Sequence, residues 1–341
     1  MKRAQSVRRA VWVVLALWAV FAWVGPVMAQ EWKPTKTITA IVPWPAGGAT
    51  DLTVRILASE MEKVLGQRIS VVNTAGASGA IGMQNAYDAP KDGYTWTGNA
   101  DVSVVNYPVL DLMKVTHRDW NQWYALMTPN IIAVTANYPA KDLPDLVRMM
   151  KEKPGQVAVA SAGVGSSGHT ALEVFSTALG VKGRHIPYAG GNPAVVATIS
   201  GESDVVMQLS MEEADMIRAG KLKPLANMSD QPLTISGYGE VPPITKWYPS
   251  FPSIGSHFGL MLPKGVPQDV IASVSKAFDV AAKSEALAKF ADQKAVFLVN
   301  LKGAEAAKKM EDVASIVTWT LFDTGSAKVS PAQFNIPKPK K

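Results

Sequence analysis

The residues best suited to chemistry here are those that present backbone donors to an acid. In the run Ile41-Val-Pro-Trp-Pro-Ala-Gly-Gly-Ala-Thr-Asp51, a strand runs into a Gly47-Gly48 turn and then the start of a helix. Such a turn leaves backbone N–H groups unpaired at the helix N-terminus, where the macrodipole favours negative charge. Ala46, Gly47, Gly48, Ala49 and Thr50 therefore read as an anion cradle, with Trp44 as a wall beside it. Asp51 falls in the first helical turn, where a carboxylate is stabilising as a helix starter, and it reads as an organiser of the loop.

A second glycine-rich stretch, Gly163-Val-Gly-Ser-Ser-Gly168, has the form of a dinucleotide fingerprint after a strand and before a helix. That chemistry needs an acid about 20 residues on, at the end of the next strand. The strand around Arg184 to Tyr188 ends instead in Ala189-Gly-Gly191, so nucleotide binding is not supported. Ser166 and Ser167 lack the Gly-x-Ser-x-Gly elbow of a serine nucleophile, and His169 reads as a brace or cap for this loop. The four histidines do not cluster and no acid-rich loop exists, which argues against a metal. Glu212, Glu213 and Asp215 read as a solvated helix face.

These loops need a frame, and the chain supplies one after a leader. Lys2, Arg3, Arg8 and Arg9 precede an apolar run from Val11 to Val24 and the small residues before Gln30, the pattern of a secretory signal peptide cleaved after Ala29. The leader carries four positive charges and no negative ones, so the formal charge falls from +6 to +2 without it. Neither nucleic acid nor a membrane surface is called for. There are no cysteines, which removes disulfides and thiolate chemistry together.

The rest alternates short β-branched runs with amphipathic helices, an α/β pattern. Strands are expected at Ile69–Val72, Tyr94–Thr97, Ile131–Thr135, Val157–Ala160, Asp204–Gln208, Leu222–Ala226 and Phe258–Leu262. Asp142 is expected to cap one helix and Asn192-Pro193 to open another. Residues 230–252 read as a long crossing segment, and the end as a loose tail. Three successive strands end in small, polar residues, the last at Gly98-Asn99-Ala100, and in an open α/β sheet ligands sit at that edge.

The run Pro43-x-Pro-Ala-Gly-Gly-x-Thr-Asp51, then Arg55, Leu65-Gly66, Gly76-Ala77-x-Gly79, Asp92-Gly93-Tyr94, Gly165-Ser166-x-x-His169, His185-x-Pro-Tyr188-x-Gly190, Ala219-Gly220-Lys221-Leu222 and Phe258-Gly259-Leu260 resembles the solute-binding proteins of tripartite tricarboxylate transporters. The likeness spans essentially all of the chain after the leader. It implies a two-lobed, hinge-closing periplasmic receptor of the type II, Venus-flytrap class. Lobe 1 would comprise 31–127 plus 255–341, and lobe 2 residues 128–254. The ligand would be a small carboxylate, held by Ala46–Thr50 in lobe 1 and by Gly165, Ser166 and Ser167 in lobe 2, and delivered to two membrane subunits. No cofactor, metal or catalysis is implied, and the receptor would be a monomer.

The departures from the family pattern bear on the far end of the ligand. Gln208 stands where Asp is common, His257 where Trp is usual, Ala189 where Lys is frequent, and Asn99-Ala100-Asp101 replaces a small hydroxyl run. Gln208 both donates and accepts, and His257 can be neutral or charged, so they point to an extra polar or aromatic group on the ligand. With Ala100 and Tyr188 they complete the candidate ligand contacts. The alternatives are an exported enzyme acting on a small organic acid and a receptor feeding a sensory partner. An enzyme would need a convergent acid/base pair, and only His169 and Asp51, on different loops, are on offer.

Overall fold

The computed structural model describes residues 31–339. The expected leader, residues 1–29, lies outside the described residues.

The chain opens with strand β1 (Ile38–Val42), which buries Ile38, Ala40 and Val42 on alternate positions. Helix α1 (Ala49–Leu65) follows an extended Gly48 and turns Val54, Leu57, Ala58 and Met61 inward at helical spacing. Burying a side chain the size of Leu57 or Met61 contributes about 1.5–3 kcal/mol. The helix ends at Gly66, where φ is +67° and the amide closes on the Glu62 carbonyl, a left-handed cap that glycine adopts without a Cβ penalty. Strand β2 (Ile69–Asn73), helix α2 (Ala80–Asp88), strand β3 (Thr95–Thr97) and helix α3 (Asp101–Val109) complete a parallel unit in which β2 and β3 flank β1.

Strand β4 (Trp120–Thr135) ties the molecule together. Beyond it come α4 (Leu143–Glu152), β5 (Ala158–Ser161), α5 (Ser167–Leu179), β6 (Arg184–Pro187), α6 (Gly191–Ser200), β7 (Val205–Leu209), α7 (Ser210–Arg218) and β8 (Leu222–Asn227). A small hairpin, β9 (Leu233–Ile235) with β10 (Gly239–Val241), precedes β11 (Gly255–Pro263), α8 (Gln268–Ala281), α9 (Glu285–Lys294), β12 (Phe297–Lys302) and α10 (Gly303–Asp323). The strand order is β2-β1-β3-β11-β4-β7-β5-β6, with β8 and β12 also paired to β4. The first part of β4 lies against β11 and β12, and Asn130 to Thr135 lie against β7 and β8. One strand thus serves both lobes, each with its own core: Leu57, Trp96, Leu260 and Phe278 in one, Val159, Phe175, Met207 and Leu225 in the other.

The register of β11 on β4 shifts between Phe258 and Gly259. A Cβ on Gly259 would stand 1.8 Å from the Trp123 carbonyl oxygen, so only glycine permits this approach.

Several expectations are corrected. β4 begins at Trp120 rather than Ile131: Gln122, Thr128, Pro129 and Asn130 interrupt its apolar pattern, but they are buried in a strand covered on both sides. Helix α3 was not expected, because Val102, Val104, Val105 and Pro108 disfavour a helix in isolation and burial of all nine residues overrides this. Residues 230–252 do not cross between lobes. They form the hairpin, pinned where Asn227 Nδ2 donates to the Gln231 and Val241 carbonyls at 3.1 and 2.9 Å. Helix α6 is capped by Gly190, so Asn192 lies inside its first turn. The chain packs down as far as Ile336, whose carbonyl accepts from Trp319 Nε1 at 3.0 Å, while residues 337–339 of the expected tail are exposed and 340–341 lie outside the described residues.

Candidate ligand-binding site

Strands β1, β3, β5, β6 and β7 each pass at their C-terminal ends into a helix, and these five turns meet between the lobes. They enclose a cavity of about 50 Å³. The N-cap residues of all five helices line it: Gly48 of α1, Ala100 of α3, Ser166 of α5, Gly190 of α6 and Leu209 of α7. Each helix N-terminus carries about half a positive charge in its N–H groups, so these starts favour an anion without a basic side chain.

The cradle on β1–α1 is held in shape by Asp51, which is 2% exposed and does not itself line the cavity. Its carboxylate accepts from the Gly47 amide at 2.9 Å, from Arg55 Nε at 2.9 and 3.0 Å, and from Asn73 Nδ2 at 2.9 Å. Burial alone pushes the Asp51 carboxyl upward, but the bonds from Arg55, Gly47 and Asn73 outweigh it and hold the group below the usual carboxylate range. Gly47, with φ +80°, likewise shapes the turn rather than lining it. Trp44, Ala46, Gly48, Ala49 and Thr50 do line the cavity, and the indole is fixed by a 2.8 Å bond from Nε1 to Asn99 Oδ1.

Across the cleft, Ser166 and Ser167 line the cavity and Gly165 does not. Ser166 Oγ caps α5 by accepting from the His169 amide at 3.3 Å, and Ser167 Oγ accepts from Ser256 Oγ at 2.7 Å. Gly165 has φ +80°, and a Cβ there would stand 2.3 Å from Leu110 Cδ1. Its amide donates to His169 Nδ1 at 3.1 Å, which makes His169 a brace behind the loop. The His169 ring lies 4.3 Å from that of His185, whose Nε2 pairs with Ser161 Oγ at 2.7 Å. Burial, with the charge of His169, pushes His185 down to about 4.

Two expected contacts lie elsewhere. Tyr188 is outside the cavity, its hydroxyl donating to Glu202 at 3.4 Å. His257 is buried against Asp101, Nδ1 to Oδ2 at 2.6 Å, and borders a neighbouring pocket of about 130 Å³ instead. An acid in the first turn of α3 thus absorbs the imidazole that the sequence offered to the ligand. Gln208 and Ala100 do line the cavity.

The largest correction concerns Glu212 and Glu213, expected on a solvated face. Glu213 is fully buried and accepts from the Gln208 amide at 2.8 Å. Glu212 lines the cavity and reaches across it: Oε1 accepts from the Ala49 amide of α1 at 3.2 Å, and Oε2 from Gln208 Nε2 at 2.8 Å. Burial pushes the Glu212 carboxyl up to about 7, against bonds from Ala49, Gln208 and Leu209, and pushes Glu213 well above the ordinary range. Of the three acids only Asp215 is exposed, where it pairs with Lys294 at 2.8 Å. The signal was available, since both glutamates sit in the first turn of a helix that follows a parallel strand. Asn192, also missed, donates from Nδ2 to the Gly47 carbonyl at 3.0 Å and joins the lobes at the rim.

A family model described as the tripartite tricarboxylate transporter family receptor matches residues 53–315. The chain belongs to this receptor family. A protein from the tcbD-tcbE intergenic region of Pseudomonas sp. (strain P51) is 32% identical over 265 residues, covering 74% of this chain and 77% of that one. A solved periplasmic transporter is 28% identical with a TM-score of 0.78, covering 87% of this receptor and 99% of its own chain. MatC from Rhodopseudomonas palustris, solved with bound malate, is 22% identical with a TM-score of 0.78 over 84% of this receptor and 99% of its own chain. That likeness speaks to the fold, which is the two-lobed periplasmic binding-protein type. The family and its structural neighbours are solute-binding receptors. No described helix of the receptor is long and apolar enough to cross a membrane.

Proposed function

We propose that the receptor is exported to the periplasm by cleavage after Ala29, captures a small organic acid between its lobes, and delivers it as a monomer to two membrane subunits of a tripartite transporter. The observation that carries this reading is the convergence of five helix N-caps on one small cavity. Backbone donors at helix starts suit a carboxylate, and each such terminus contributes about 0.3–1 kcal/mol by its dipole, up to about 2 when partly buried. The malate held by the R. palustris neighbour agrees with this chemistry.

Closure follows from the division of the site. The α1 and α3 turns belong to the lobe formed by 31–127 and 255–341, the α5, α6 and α7 turns to the lobe formed by 128–254, and the hinge lies where β4 passes from β11 and β12 to β7 and β8. A ligand touching both sets of donors binds the closed state better than the open one, and only that difference drives closure. The His257–Asp101 pair lies near this junction, outside the cavity lining.

Gly48→Val and Ser166→Val, made separately, test the two jaws. Loss of carboxylate binding in each, with circular dichroism unchanged, is the expected result. Unchanged affinity in both variants would sink the two-jaw model.

A further inference from the structure

The charge balance of the cavity deepens the carboxylate reading, on which this inference rests. Among its lining residues Glu212 is the one with an ionisable side chain, and no lysine, arginine or histidine lines it. The Glu212 oxygens are engaged by Ala49, Gln208 and the Leu209 amide, which leaves part of a carboxylate's roughly four lone-pair sites open. Beside it, Gln208 is 1% exposed, its Nε2 donates to Glu212, and its Oε1 is packed against Gly168 outside the cavity lining. Glu212 is therefore the one carboxyl on a cavity otherwise lined by helix N-caps, neutral polar side chains and apolar groups.

A ligand carrying only carboxylates satisfies the helix ends but brings like charge to Glu212, which is unfavourable at close range. An acid that also carries a protonated nitrogen meets both sets of groups: its carboxylate faces the helix starts, and its N–H donors face Glu212. Trp44, Pro45, Ala162 and Phe258 supply apolar wall for the carbon between them. We propose that this cavity selects a small zwitterionic carboxylate over a plain dicarboxylate, with Glu212 as the residue that reads the cationic nitrogen.

Isothermal titration of the protein lacking residues 1–29 at pH 8 tests this with three compounds of similar length: 4-aminobutyrate, glutarate and butylamine. The unmodified receptor is expected to bind 4-aminobutyrate at least ~10-fold more tightly than glutarate and not to bind butylamine. E212Q is expected to erase or reverse that preference, with circular dichroism confirming the fold, and Glu212→Ala serves the same test should E212Q fail to fold. Equal affinity for 4-aminobutyrate and glutarate, a preference unchanged in E212Q, or no binding of any of the three overturns the proposal. Butylamine binding as tightly as 4-aminobutyrate, with the preference still lost in E212Q, would overturn the carboxylate reading and leave the role of Glu212 standing.

Discussion

The half-buried carboxyl of Glu212 makes stability depend on pH in a way that one isosteric change isolates. In the fold Glu212 titrates at about 7, against 4.5 when free, because its surroundings penalise the charge. The folded state therefore holds the proton more tightly than the unfolded chain. The stabilisation is complete below the unfolded value and is lost as pH rises through the folded one. At about 1.36 kcal/mol per unit the full difference is about 3.4 kcal/mol, and partial exposure of the side chain brings it to about 2–3. E212Q keeps the acceptor for Ala49 and removes the titration, and Gln208 can turn its unpaired Oε1 toward the new amide. The melting temperature of the unmodified protein minus that of E212Q should therefore fall between pH 5 and pH 8. At about 2 °C per kcal/mol for a chain of this size, the fall is about 4–6 °C. Differential scanning fluorimetry in matched buffers measures it. A gap that stays constant within about 1 °C would refute the reasoning, since it would mean that the carboxyl sees ordinary solvent.

Other consequences concern the supports of the site. Asp51→Asn removes the charge that holds Gly47, Arg55 and Asn73, so urea unfolding should show a loss of about 1.5–3 kcal/mol, accompanied by weaker ligand binding. Gly259→Ala forces a Cβ onto the Trp123 carbonyl and should cost about 3 kcal/mol or more by urea unfolding, whereas a chain as stable as the parent would contradict the bulge geometry. His185 has a folded value of about 4 against 6.5 when free, so the unfolded chain gains the proton first and stability is lost as pH falls from about 6.5 toward 4. Relative to His185→Gln, that loss should be on the order of 1–2 kcal/mol after allowance for solvent screening, read by urea titrations at pH 7 and 4.5.

Where strand and helix followed one another with ordinary punctuation, the sequence was legible. Gly66, Asp142 and Gly201 stop or start helices through caps whose physics is local. The cradle at Gly47-Gly48 was legible for the same reason. What escaped was set by burial at long range. The polar stretch of β4 and the β-branched α3 form because other elements cover them, and no local pattern announces that cover. Glu212 was read as solvated because a glutamate pair at a helix start usually is. It is half-buried because α7 begins opposite α1, from whose Ala49 amide its carboxyl accepts. His257 was read as a ligand contact because Asp101, its partner, is distant in sequence and adjacent in space.

The central claim is that five helix starts hold a small carboxylate between the lobes. A thermal-shift panel of mono-, di-, amino- and aromatic carboxylates on the protein lacking residues 1–29, with neutral sugars and metal cations as controls, tests it most directly. A specific acid should raise the melting temperature by mass action, about 2.7 kcal/mol of stabilisation at 100 times its dissociation constant. A shift with a neutral sugar or a cation, and with no carboxylate, would contradict the account.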